Sequence, residues 1–260
     1  MIELRTPAEI EQMRPVGRFV AETLATLRAE TAVGTNLLDI DKHAHALIRA
    51  AGAESCYLDY HPSFGASPFG KVICTSVNDA VLHGLPFDYT LRDGDLVSLD
   101  FAVSLGGWVA DSAVSFVVGT PRDEDLRLID TTQRALDAAI GAAMTGNRIG
   151  DISAAIAEVS RGAGYSINTD FGGHGVGRTM HEEPHVPNNG RPGRGFPLRA
   201  GLVIAIEPWL LASTDELVTD PDGWTLRSGD GSRGAHSEHT VAITEDGPVV
   251  LTDRSFLGVG

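Results

Sequence analysis

The sequence has 260 residues, 42% of them hydrophobic, and a formal net charge of −15 from 20 basic and 35 acidic side chains. That length allows one large domain or two small ones, with an ample core in either case. Because only 20 basic residues are available to face phosphate groups, the charge argues against a nucleic-acid partner and favours a cationic or metal-rich site.

The sequence predicts neither a membrane span nor a secretory signal. Its longest stretch without a charged residue is 60–70, 11 residues, whereas a helix that crosses a bilayer needs about 20. The N-terminal residues lack a basic segment followed by an apolar one. Cys56 and Cys74 are too few for a disulfide framework. We therefore expect a cytoplasmic protein without a membrane partner.

Each half of the chain begins with a predicted pair of helices. Thr6 and Pro7 precede apolar residues spaced three and four apart, a pattern typical of an amphipathic helix with a capped start. A second helix follows over 37–51, with Gly52 as its C-terminal cap. The corresponding pair in the second half is predicted over 123–143 and 151–163.

The two helical pairs are related by an internal repeat. Segments 34–40 and 49–52 resemble 146–152 and 161–164, and both pairs of segments are offset by 112 residues. A shared offset in two separate places indicates that each half contains the same supersecondary unit.

Apolar and β-branched runs predict strands after each helical pair, at 96–103, 108–118, 202–207 and 240–243. Gly106 and Gly107 join the first two strands as a hairpin. Helices followed by strands in each half favour an α+β fold, with helices on one face of antiparallel sheet. Since no linker-like segment separates the halves, we expect one domain over 1–260, with halves at about 6–120 and 121–253.

Four carboxylates interrupt or end these apolar strands, namely Asp100, Asp111, Glu207 and Glu238. An isolated buried carboxylate costs several kcal/mol, and these segments contain almost no Lys or Arg to compensate it. One such residue alone is more often at a water-facing strand edge. Asp100 and Asp111 lie on opposite sides of the predicted hairpin, so pairing would bring them to one face. The joint pattern indicates a pair or cluster of cations.

His174 stands within the glycine-rich segment 172–178. We expect these glycines to form a loop with positive φ that approaches a site closely and presents one imidazole. A phosphate-binding loop is the alternative, but the Lys-Ser/Thr of a P-loop is absent. Carboxylates with one imidazole suit Mn, Fe, Co or Zn. Two such divalent ions would activate water and polarise a carbonyl, which is hydrolytic chemistry.

Two histidines precede prolines, in the segments His83-Gly84-Leu85-Pro86 and His181-Glu182-Glu183-Pro184. If His83 and His181 lie near the metals, they could hydrogen-bond a substrate amide or carbonyl and the charge of the transition state. A purely structural histidine is the alternative for each.

Together these segments resemble the type I methionine aminopeptidases over nearly the whole chain. The motifs are VLHGLP (81–86), LD (99–100), ADSA (110–113), GHGVGR (173–178), HEEP (181–184), IEP (206–208) and SEHT (237–240). The resemblance implies the pita-bread fold, built from two pseudo-symmetric halves. It also implies removal of an initiator methionine that precedes a small residue, from peptides and nascent chains. It is compatible with transient ribosome association, and we expect a monomer.

The resemblance also implies a role for each ligand. Asp100 would chelate one metal ion, Asp111 and Glu238 would bridge both, and His174 and Glu207 would complete the other site. Glu207 would also shuttle a proton. His83 and His181 would then contact the scissile amide and stabilise the tetrahedral intermediate.

The expected methionine pocket contains Trp224, Met180 and Phe69. Trp224 is similar to the tryptophan that closes the pocket in the family, and a thioether suits an apolar pocket. Met180 departs from the family, which often has an aromatic residue there. The segment between Cys56 and Cys74 is longer than in short bacterial members, with 64–69 in place of their Cys/Tyr-rich segment.

Two alternatives share the pita-bread fold. Prolidases and aminopeptidases P have the same five ligand types, but they usually carry an N-terminal domain, for which a first helix beginning near Thr6 leaves no room. A non-catalytic binding module would typically lose ligands, and this sequence keeps all five.

Overall fold

The computed structural model describes residues 2–62 and 67–255. The helices in these ranges are α1 (Pro7–Glu30), α2 (Leu37–Ala51), α3 (Asp123–Ala142) and α4 (Ile149–Gly162). The strands are β1 (Glu54–Ser55), β2 (Cys74–Val77), β3 (Ala80–Leu82), β4 (Leu96–Leu105), β5 (Trp108–Val117), β6 (Gly172–Gly175), β7 (Glu182–Pro187), β8 (Val203–Ile206), β9 (Trp209–Leu211), β10 (Leu217–Thr219), β11 (Leu226–Ser228), β12 (Gly234–His236), β13 (His239–Thr244) and β14 (Gly247–Val250).

The helix ends follow the predicted capping signals. Thr6 accepts a hydrogen bond from the Glu9 amide, and the Glu9 carboxylate accepts one from the Thr6 amide, which forms a capping box at the start of α1. Gly52 ends α2 in the left-handed conformation, with φ of 65°. In the described ranges, every helix is too short or too polar to cross a bilayer.

Each half contributes an antiparallel sheet, as the α+β prediction requires. In the first half, the long strand β4 pairs with β1, β2 and β5. In the second half, the strand order is β14, β13, β8, β6 and β7. The predicted hairpin is confirmed, because Leu105 pairs with Trp108 across Gly106 and Gly107.

The helices cover one face of the first sheet and leave the other face for polar residues. In β4, Leu99 and Phe101 are fully buried in the same apolar core as Met13 and Leu24 of α1. Successive strand residues point to opposite faces. Asp100, between two core residues, is therefore directed away from the helices.

The two halves meet where β5 approaches the segment before β13. Ala113 and Glu238 form a β-bridge, and the Ser112 hydroxyl donates a hydrogen bond to the Glu238 carbonyl at 2.6 Å. Thr240 exchanges hydrogen bonds with the backbone of Asp111. These contacts place Asp111 of the first half beside Glu238 of the second.

Part of the glycine-rich segment 172–178, namely Gly172–Gly175, forms strand β6 where a loop was expected. None of its glycines has a positive φ, so that part of the prediction was wrong. Their role is close packing, because β6 lies between β7 and β8. A Cβ atom on Gly173 would lie 2.2 Å from the Ala205 carbonyl oxygen, and one on Gly175 would lie 2.3 Å from that of Glu183.

Candidate active site

All of the predicted metal ligands line one cavity of about 630 Å³. The ligands come from both sheets: Asp100 from β4, Asp111 from β5, His174 from β6, Glu207 from the residue after β8 and Glu238 from the residue before β13. The sheet pairing that joins the two halves therefore brings together side chains that are up to 138 positions apart in the sequence.

The ligand atoms converge to distances suited to a shared cation. His174 Nε2 lies 3.8 Å from Asp111 Oδ2 and 3.7 Å from Glu207 Oε1. Ligand atoms of Asp111, His174 and Glu238 all lie within 4.8 Å of one another. Asp100 is connected to this group through Tyr57, whose hydroxyl is 2.5 Å from Asp100 Oδ1 and 3.3 Å from Asp111 Oδ1.

The sheet register explains how Asp100 and Asp111 meet. Asp100 pairs with Ala113, and Asp111 pairs with Ala102. The two carboxylates are thus one diagonal step apart on the same face of the β4–β5 pair, as the hairpin prediction required.

Burial makes this cluster electrostatically costly without cations. It raises the pKa of Asp100 to about 6, and burial with repulsion from Asp100 raises that of Glu207 to about 8. The pKa values of Asp111 and Glu238 are raised well above the usual range by burial and by the neighbouring carboxylates. Arg254 partly offsets the effect at Glu238.

The donor set fits divalent metal ions. Carboxylate oxygens and imidazole nitrogens are ligands of first-row divalent metals, and a metal-binding imidazole must be neutral. Burial, the main cause, lowers the pKa of His174 to about 3. His236 adds a buried ring nitrogen, Nε2, that has no hydrogen-bond partner among the residues the structure describes and lies 3.8 Å from both Glu207 Oε2 and Glu238 Oε2. Divalent cations would compensate the charge that this chain leaves unpaired.

The two predicted histidines line the same cavity. His181 Nδ1 lies 3.1 Å from the Tyr60 hydroxyl, and its ring packs edge-on against His174 with centroids 4.3 Å apart. His83 packs edge-on against Phe171 at 4.9 Å. His83 also has a positive φ of 54°, a strained backbone conformation of the kind that clusters at functional sites.

An aromatic wall closes one side of the cavity. The rings of Phe69 and Trp224 pack edge to face with centroids 5.2 Å apart. The ring centroid of Tyr60 lies 6.2 Å from that of Trp224. Met180 also lines the cavity. The predicted pocket residues are therefore all at the cavity, except that residues 64–66 of the segment 64–69 lie outside the described residues.

Several residues at the site were not found from the sequence. Tyr57, Tyr60, Asp170, Phe171 and His185 line the cavity, and the buried His236 lies beside Glu207 and Glu238. Tyr57 and Tyr60 lie in a segment without periodic pattern, and their roles depend on contacts with distant Asp100 and His181. His236 offered a weak signal, because it stands two residues before Glu238.

The fold and the site are those of a metallopeptidase. The chain matches the model for metallopeptidase family M24 over residues 11–245, a range that contains the five predicted metal ligands and both predicted site histidines. A prolidase structure from Pyrococcus furiosus shares the fold, with a TM-score of 0.76, 23% identity, and coverage of 96% of this chain and 65% of that one.

More similar relatives point to one branch of the family. Methionine aminopeptidase 1 of Mycobacterium tuberculosis is 44% identical, covering 97% of this chain and 95% of the relative. Methionine aminopeptidase of Aquifex aeolicus is 42% identical, with coverages of 97% and 99%. The crystal structure of methionine aminopeptidase from Thermotoga maritima has a TM-score of 0.92 and 36% identity, with coverages of 97% and 100%. The chain therefore belongs to metallopeptidase family M24, as one of its methionine aminopeptidases.

We predict that the metal-free protein loses stability as the pH rises from about 6.5 to about 8, a range above that in which the buried histidines oppose the effect. The pKa of Glu207 is raised from 4.5 to about 8, so in this window the folded state holds a proton that the unfolded chain releases. Melting temperatures in EDTA at the two ends of the window test this. Between these two pH values, the melting temperature of Glu207→Gln should fall by less than that of the wild type. Equal falls in melting temperature would contradict the raised pKa of Glu207.

Proposed function

We propose that this protein hydrolyses the N-terminal methionine from peptides and nascent chains whose second residue is small, with two divalent metal ions. The observation that carries the proposal is the convergence of four buried carboxylates and His174 on one cavity with an aromatic wall. Membership of the methionine aminopeptidase branch supports the same substrate.

The proposed ligands are divided between the two ions. Asp100 would chelate one ion, His174 and Glu207 would hold the other, and Asp111 and Glu238 would bridge them. His174 Nε2 lies 3.7 Å from Glu207 Oε1 and 3.8 Å from Asp111 Oδ2, and these distances support the grouping. The oxygen-rich donor set suits Mn, Fe, Co or Zn.

Bound divalent ions supply Lewis acidity, which lowers the pKa of water and polarises a carbonyl. Glu207 is the proposed proton acceptor for the attacking water. Its carboxylate lines the cavity at the end of β8, 3.7 Å from His174 Nε2. A carboxylate in this position can take a proton from the attacking water and pass it to the leaving amine.

His181 and His83 are the proposed hydrogen-bond donors to the scissile amide. When the Tyr60 hydroxyl donates to His181 Nδ1, at 3.1 Å, the proton of that imidazole lies on Nε2 and is available to substrate. The T-shaped contact with Phe171 orients the ring of His83. Donors fixed in advance stabilise the charge that develops on the carbonyl oxygen.

Phe69, Met180 and Trp224 are the proposed walls of the methionine pocket. Their apolar surfaces, with the edge-to-face contact between Phe69 and Trp224 at 5.2 Å, suit a flexible and polarisable thioether. We further propose that 1–260 is a single catalytic domain with halves at about 6–120 and 121–253. It would act as a cytoplasmic monomer in transient contact with ribosomes.

A pair of peptides tests the proposed substrate. The protein reconstituted with Mn²⁺ should release methionine from Met-Ala-Ser and leave Ala-Pro-Ala intact, as measured by chromatography of the products. Preferential cleavage of Ala-Pro-Ala would favour a prolidase or aminopeptidase P activity. Release from neither peptide would favour a binding module.

Substitutions should separate the ligands from the hydrogen-bond donors. Asp111→Ala and Glu238→Ala remove the proposed bridging ligands, so both metal content and turnover should be lost. His181→Ala should retain the metal and lower kcat by about 10²-fold or more, since it removes one donor to the oxyanion. Metal analysis and steady-state rates on Met-Ala-Ser measure these effects. Full turnover by His181→Ala would contradict its role.

A further inference from the structure

Tyr57 lies at the boundary between the carboxylate cluster and the aromatic wall. Its hydroxyl is within hydrogen-bonding distance of two proposed metal ligands, 2.5 Å from Asp100 Oδ1 and 3.3 Å from Asp111 Oδ1. Its ring packs edge-on against Phe69, with centroids 5.7 Å apart. We propose that Tyr57 is a positioning residue that fixes the carboxylate of Asp100 for the ion on that side of the cluster.

The local backbone holds Tyr57 in place for this contact. Ser55 of β1 pairs with Val103 of β4, and the Cys56 amide donates a hydrogen bond to the Ala102 carbonyl. The chain therefore runs beside β4 until it reaches the level of Asp100. The Ser55 hydroxyl accepts a hydrogen bond from the Tyr57 amide at 3.1 Å, which fixes the turn after β1.

Burial fixes the side chain as well as the backbone. Tyr57 is only 7% exposed and belongs to the main apolar core. The edge-on contact with Phe69 restricts rotation of the ring. The hydroxyl therefore has a defined position, and a defined donor restricts the carboxylate that accepts from it.

The phenol of Tyr57 is a neutral donor to Asp100, at 2.5 Å. Asp111 and the Cys74 thiol also contact that carboxylate, but Asp111 is itself a proposed ligand and a thiol donates only weakly. A carboxylate that accepts a hydrogen bond is favoured in its ionised form, which is the form that binds a cation. Without the hydroxyl, Asp100 would lose the donor that fixes its rotamer, so the ion on its side would bind less tightly.

The same residue links the metal cluster to the pocket. Tyr57 contacts Phe69, and Phe69 contacts Trp224. Tyr57 therefore contacts both the carboxylate cluster and the aromatic wall.

A second tyrosine in the cavity gives a matched control. Tyr60 lies three residues further along the chain, and its hydroxyl contacts His181, which is not a proposed metal ligand. Tyr57→Phe and Tyr60→Phe each remove one hydroxyl and keep the ring. Only the first should alter metal binding.

Calorimetric titration of the metal-stripped proteins with Mn²⁺ tests the inference, which rests on the proposed two-ion function. Wild type should bind two equivalents. Tyr57→Phe should weaken one of them by about 10- to 100-fold, the usual effect of removing a group that orients a ligand, and leave the other unchanged. Tyr60→Phe should bind both ions as the wild type does.

Three results would overturn the positioning role: unchanged binding in Tyr57→Phe, equal weakening of both ions, or the same loss in Tyr60→Phe. The melting temperature in EDTA shows whether Tyr57→Phe is folded. Asp100→Asn gives a second test, because Tyr57→Phe should add no further loss in that background. If wild type itself binds no Mn²⁺, the proposed function fails, which is a distinct result.

Discussion

Four carboxylates share one buried cavity, and the need to compensate their charge is the constraint on which the rest of the site depends. Each acid is moved from its usual pKa by burial, and three are raised further by a neighbouring carboxylate. A buried charge without a partner costs several kcal/mol. Divalent cations meet this requirement and at the same time supply hydrolytic chemistry, so that the charge cost and the activity have one origin.

The fold satisfies this constraint by placing apolar packing and the acidic residues on opposite faces of its sheets. Helices cover one face with apolar contacts, whereas the opposite face carries the acids. Hydrogen bonds then join the halves behind the cluster. Arg254 donates to the Ser112 hydroxyl at 2.6 Å, and Ser112 donates to the Glu238 carbonyl. This network fixes the backbone beside Asp111 and Glu238, so the ligands have little freedom to move apart.

Local signals in the sequence were sufficient to predict the helices, the hairpin and the acidic strand positions. The start signal at Thr6 and Pro7, the terminal Gly52 and the Gly106-Gly107 turn each act over a few residues. The acids could be recognised because an isolated carboxylate conflicts with an apolar strand. The division of roles among the ligands came only from the resemblance to a known family.

Contacts between distant segments explain what the sequence did not reveal. Gly173 was expected to need a positive φ, but its small size matters because the Ala205 carbonyl passes so close. Tyr57 has no pattern around it that indicates a contact with Asp100, 43 positions away. His236, the last residue of β12, lies 3.8 Å from Glu207, which follows β8 of a different sheet. Each of these features depends on strand packing, which local periodicity does not specify.

Anomalous X-ray scattering from crystals grown with Mn²⁺ is the most direct measurement of the proposed metal centre. We expect two peaks inside the cavity, both flanked by the carboxylates of Asp111 and Glu238, with one beside Asp100 and the other beside His174. If the protein cleaves Met-Ala-Ser but its crystals show no anomalous peak among these five side chains, a metal centre at this cluster is contradicted.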